Sequence, residues 1–98
     1  MDLPALWKEQ QLATFPAACL GRSAGGVGLL KLDAGVGALL TACLRQDGLP
    51  RVLSGLQRSE LERQRPLLEA ALADAGLTGE GRRYFERLHL LADHVLRA

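Results

Sequence analysis

The chain has 98 residues, is 48% hydrophobic and 23% charged, and carries a formal net charge of +1. That length holds one domain with one core, and that mix is globular rather than disordered. Near-neutral charge excludes the broad basic field that draws a protein to nucleic acid or to an anionic membrane.

Leucine fills 22 positions, and isoleucine and asparagine are absent. Leu and Ala favour helices, and the β-branched residues that favour strands are scarce. The predicted fold is a small, mostly α, single-domain bundle. It has a short N-terminal helix, an arm at 17–32, and three main helices. Arginine outnumbers lysine ten to two, which fits a GC-rich bacterial genome. Asp2, Lys8 and Glu9 interrupt any apolar leader run, and the most apolar stretch, 27–44, contains Lys31 and Asp33. The expectation is a cytoplasmic protein with no membrane span.

Asp2 is placed to cap a first helix, with Pro4 in its first turn where a missing N–H is harmless. Leu3, Leu6, Trp7 and Leu12 form its apolar side, and Phe15-Pro16 ends it. Two short apolar runs, 17–20 and 27–32, flank Gly21-Arg22-Ser23-Ala24-Gly25-Gly26. This pattern fits either a β-hairpin or an irregular arm across the helices.

Asp33 reads as the N-cap of the next helix. Val36, Leu39, Leu40, Cys43 and Leu44 give it one stripe, and the rest of it is small residues that let a neighbour come close. Asp47-Gly48 stops it, with Gly48 as a left-handed cap. From Pro50 to Ala75 the apolar positions continue, interrupted by a capping-box pattern at Ser59–Glu62 and by Pro66. Residues 49–75 therefore form one kinked helix or two nearly collinear ones. Gly76-Leu77 reads as a Schellman ending, and 76–79 is a tight connection. The last helix spans about 80–97. Tyr84, Leu88, Leu91 and Val95 lie on one line of it, and Phe85, Ala92 and Leu96 on the next. So short a connection makes the last two helices antiparallel neighbours.

No constellation carries chemistry. The cluster Gly25-Gly26-Val27-Gly28-Leu29-Leu30-Lys31 lacks the Gly-Lys-Ser/Thr ending of a phosphate-binding loop. His89 and His94 lie about 140° apart around a helix, so they do not share a face, and no close pair of zinc ligands accompanies them. Cys19 and Cys43 are too few for a disulfide framework and read as small apolar residues, with Cys43 buried and inert. Glu60 and Glu62 sit on different sides of a helix and cannot act on one bond. Arg58, Arg63, Arg65, Arg82, Arg83 and Arg87 interleave with acids as a solvated face or a charged rim. Glu62 pairs with Arg58 or Arg65.

The expected function is a non-enzymatic protein-interaction module without cofactor or metal, a homodimeric accessory or regulatory protein. The reasoning is that two stripes of apolar residues exceed what a three-helix core covers. That points to an interface of Leu61, Leu68, Tyr84, Leu88 and Leu91. The alternative is a helix-turn-helix DNA-binding regulator through 38–58, presenting Arg51, Ser54, Gln57 and Arg58. The charge balance speaks against it.

Overall fold

A computed structural model describes residues 2–44 and 53–97. In chain order these form α1 (Leu3–Leu12), a 3₁₀ turn at Ala17–Cys19, β1 (Ser23–Ala24), β2 (Val27–Gly28), α2 (Leu29–Cys43), α3 (Gly55–Ala73) and α4 (Gly79–Arg97). The fold is the small, mostly α, single-domain bundle expected, with 75% of the described residues helical and a two-strand antiparallel hairpin.

The Asp2 carboxylate accepts from the Ala5 N–H at 3.1 Å and starts α1, with Pro4 in the first turn. α1 stops at Leu12, three residues before Phe15-Pro16. Trp7 is buried, whereas Leu12 is 76% exposed and lies off the apolar side.

The arm at 17–32 contains a hairpin. Ser23 pairs with Gly28 and Ala24 with Val27. Both turn residues have positive φ, 55° at Gly25 and 80° at Gly26. That pair of signs is the two-residue turn whose twist matches antiparallel strands, and glycine adopts it without strain. Gly25 is also held by space, because a Cβ there would lie 2.7 Å from Leu67 Cδ2 of α3.

α2 begins four residues before Asp33, with Gly28 as its N-cap and no side-chain cap. The apolar period runs back through Leu32 to Leu29. Leu29, Leu32, Val36, Leu40 and Cys43 are all buried on one side, and that burial outweighs the capping preference of Asp33. The Asp47-Gly48 stop lies outside the described residues.

The start of α3 also differs from the expected one. Ser54 Oγ accepts from the Gln57 N–H at 3.1 Å, and Gln57 Oε1 accepts from the Ser54 N–H at 3.0 Å. This is a complete capping box five residues upstream of Ser59, so Ser59–Glu62 lies inside the helix. α3 is a single helix through Pro66, and Leu53 and Ser54 precede it. Residues 49–52 of the expected segment lie outside the described residues.

Gly76 does not end α3 in the left-handed conformation, since Gly79 is the positive-φ residue of this connection (φ 60°). The Asp74 carboxylate instead accepts from the Gly76 N–H at 2.8 Å and from Arg22 at 2.6 Å, closing the turn from its side chain. The backbone N–H of Gly76 first, then Arg22, holds the Asp74 carboxyl below its ordinary range. Leu77 folds back and is buried, as expected. Arg82 then donates to the carbonyls of Leu77 and Leu72, at 3.0 and 2.8 Å.

α3 and α4 run antiparallel. Arg58 near the start of α3 donates to the carbonyl of Leu96 at 2.8 Å, Arg65 meets Asp93 at 3.0 Å, and the end of α3 meets Arg82. α4 is the central element, packed against α1, α2 and α3. It buries Tyr84, Phe85, Leu88, Leu91, Ala92 and Val95 together. Gly81 sits among them, where a Cβ would come within 2.9 Å of Cys19 Sγ.

Candidate functional site

The centrality of α4 corrects the expected interface. Leu61, Leu68 and Leu91 are 0% exposed, Leu88 1% and Tyr84 6%. All five are covered by other parts of the same chain. The premise that a helix buries one stripe holds for a helix with neighbours on one side, and α4 has them on three. These residues build the core of the folded chain.

Tyr84 anchors a polar cluster where α1, α2 and α4 meet. Its hydroxyl donates to Asp33 Oδ1 at 2.7 Å. Arg87 lies 5.8 Å from the Tyr84 ring centre and donates from Nε to Gln10 Oε1 at 2.8 Å. Arg87 also approaches Glu9 at 3.4 Å. Burial pushes the Asp33 carboxyl up, with the Tyr84 hydrogen bond opposing. Burial, and then the Asp33 carboxylate, push the Tyr84 phenol up as well. A phenol held protonated against a carboxylate is a donor–acceptor pair that joins α4 to α2.

Removing the phenol oxygen should therefore show as lost stability. Tyr84→Phe leaves Asp33 half-buried without its donor, and the expected cost is about 1–3 kcal/mol. Asp33 has a raised folded pKa. Its contribution is full below the ordinary carboxylate value and is lost as pH rises through the raised one. Losing the donor raises that value further. Urea melts should thus show a larger loss near neutral pH than in mild acid, and an equal loss at both would contradict this account.

Two grooves flank Tyr84. One, of about 390 Å³, is lined by Thr14, Pro16, Glu80, Arg83 and Arg87. The other, of about 300 Å³, lies between α1 and α2 and is lined by Trp7, Gln11, Ala34, Gly37, Ala38 and Thr41. The hydrogen-bonded Tyr84–Asp33 pair also lines the second groove. Cys19 and Cys43 are both buried, and desolvation raises both thiols. Native protein should therefore react with a thiol reagent far more slowly at Cys43 than urea-unfolded protein does, and rapid native labelling there would contradict this.

Among the described residues no three His, Cys, Asp or Glu side chains are grouped to hold a metal ion. His89 and His94 are both half-buried on α4. The charged pairs also differ from those expected. Glu60 bonds Arg63, Arg65 meets Glu69 and Asp93, Arg82 meets Glu86, and Arg97 meets Asp93. Glu62 takes part in no ion pair among the described residues.

The side chains of the helix-turn-helix reading are occupied within the chain. Ser54 and Gln57 form the capping box, and Arg58 holds the Leu96 carbonyl. Arg51 lies outside the described residues.

The feature that remains is the outward side of α2. Its exposed arc comprises Leu30, Lys31, Ala34, Ala38, Thr41 and Ala42, with Gly37 half-exposed at the edge of the α1–α2 groove. Lys31 is the one charge on that arc, and Leu30 is 53% exposed. Solvated helix faces are usually rich in charge, and this one carries Lys31 alone beside the polar Thr41. The signal was present in the sequence as the small residues Ala34, Gly37, Ala38 and Ala42. Gln10, buried inside the polar run Lys8–Gln11, gave no such signal.

No protein-family model, no curated protein and no solved structure matches the chain. No helix of the described residues is long and apolar enough to cross a membrane.

Proposed function

We propose that this chain is a non-enzymatic protein-interaction module, an accessory or regulatory subunit that docks a protein partner on the outward side of α2. The observation that supports it is the mismatch on that helix. Its exposed arc of six residues contains a single charge, whereas solvated helix faces are usually rich in charge. The outward residues of α3, by contrast, include Glu62, Arg63 and Glu69.

The test is capture from a lysate of the source organism with tagged chain, comparing wild type with the double variant Ala34→Glu, Ala38→Glu. Both sites are exposed, so the fold should persist by circular dichroism. A protein retained by wild type and lost with the variant supports the reading. Equal retention by both contradicts it.

A further inference from the structure

We infer that the groove between α1 and α2 is a binding site for a small organic cation, a primary ammonium carried on an apolar stem, with Asp33 as its counter-ion. The inference goes beyond the docking reading and does not rest on it. The groove has a volume of about 300 Å³, at the small end of ordinary ligand pockets. Its polar wall is built from buried groups. Gln10 and Tyr84 are each 6% exposed, and both line the groove. Arg87 Nε donates to Gln10 Oε1, and the Tyr84 hydroxyl donates to Asp33 Oδ1. Trp7 and Leu88 supply apolar surface beside them. A few polar side chains held in place within an apolar cleft are what orients a small ligand.

Charge selects the class of ligand. Asp33 is the one charged side chain lining this groove among the described residues. Arg87, the cation of the polar cluster, lines the other groove and is engaged by Gln10 and Glu9. Asp33 is half-buried and accepts a single hydrogen bond, from Tyr84, among the described residues. A carboxylate has room for about four. Burial holds the Asp33 carboxyl above its ordinary range, the mark of an ionised group short of partners. An ammonium is a three-fold donor. It supplies the second Asp33 oxygen with a charged partner, and the Tyr84 oxygen has a lone pair left to accept from it. An anion would be repelled there, and a neutral ligand would leave the charge unpaired. No second carboxylate, histidine or cysteine lines the groove among the described residues, so a divalent metal ion is a poor match. From Asp33 to Thr41 the groove follows about two turns of α2, roughly 12 Å at 1.5 Å per residue. Gly37, between them, leaves room for the stem, since a Cβ there would meet nothing within 4 Å.

The test is an NMR titration of the purified, uniformly labelled full chain with benzylamine at neutral pH. Benzyl alcohol and phenylacetate serve as the neutral and anionic counterparts. Benzylamine should give saturable shifts at the Trp7 indole and at the amides of Asp33, Gly37 and Thr41. The two counterparts should bind about tenfold more weakly or worse, the usual worth of a hydrogen bond to a charged group. Asp33→Asn keeps an acceptor for Tyr84 and should weaken benzylamine by a similar factor. Gly37→Leu fills the groove where a side chain meets no obstacle and replaces a poor helix former. It should abolish binding while urea melts show no loss of stability.

Phenylacetate or benzyl alcohol binding as tightly as benzylamine would overturn the inference. So would a Gly37→Leu chain that binds benzylamine as wild type does, or the absence of saturable shifts at millimolar amine. The measurement uses the chain and a small amine alone, so its failure leaves the docking face of α2 to be judged by capture from a lysate.

Discussion

Phe85→Ala should cost about 3–5 kcal/mol, the usual range for emptying a buried aromatic site. Phe85 is 0% exposed in the second turn of α4. Its ring meets Tyr84 edge-on at 5.5 Å and Phe15 at 6.3 Å. Phe15 belongs to the segment between α1 and the 3₁₀ turn, and it also meets Tyr84 at 5.8 Å. Truncation would leave a cavity beneath that segment and loosen its attachment to α4. A domain of this size is expected to have about 5–15 kcal/mol of stability in all, so the variant should melt at much lower urea or be largely unfolded at 37 °C. A loss under about 1 kcal/mol would mean that the three aromatic rings are not packed as described.

The second large effect is at Leu88, one turn beyond Tyr84. Leu88 is 1% exposed and lines the inner edge of the α1–α2 groove. Leu88→Ala should cost about 2–5 kcal/mol. Glu86 projects outward on the same helix and makes only a 3.7 Å ion pair with Arg82. Glu86→Ala should change stability by less than about 0.5 kcal/mol, since exposed pairs contribute little. Equal losses in denaturant melts would mean that α4 is rotated from the position described.

The helical class and the order of elements were legible because they rest on local signals, whereas the arm at 17–32 reads as either a hairpin or an irregular segment because alanine is a poor strand former. Asp2 followed by Pro4 marks a helix start, and Gly25-Gly26 between short apolar runs marks a two-residue turn. Boundaries failed where two local signals competed. Ser54–Gln57 and Ser59–Glu62 both spell a capping box, and the sequence does not show which one the core selects. Asp33 is a good cap by type, yet Leu29 and Leu32 extend the buried stripe past it and make it an interior residue. Its carboxylate then finds Tyr84, 51 positions away, a pairing that no local pattern encodes. The interface failed for a related reason. Periodicity shows how wide an apolar face is, but not how many neighbours cover it. Both stripes of α4 were visible, and three packed helices hide them. α2 is the converse case, a face of small residues left uncovered.

That uncovered face carries the central claim, and amide NMR spectra of the uniformly labelled chain, recorded with and without the protein it captures from a lysate, test it most directly. On addition of that protein, shifts or broadening should concentrate at Leu30, Lys31, Ala34, Ala38, Thr41 and Ala42. Exposed Leu56 on α3 and Leu90 on α4 should stay unchanged. Spectra unchanged by the captured protein, or changes centred on Leu56 and Leu90, would contradict the account.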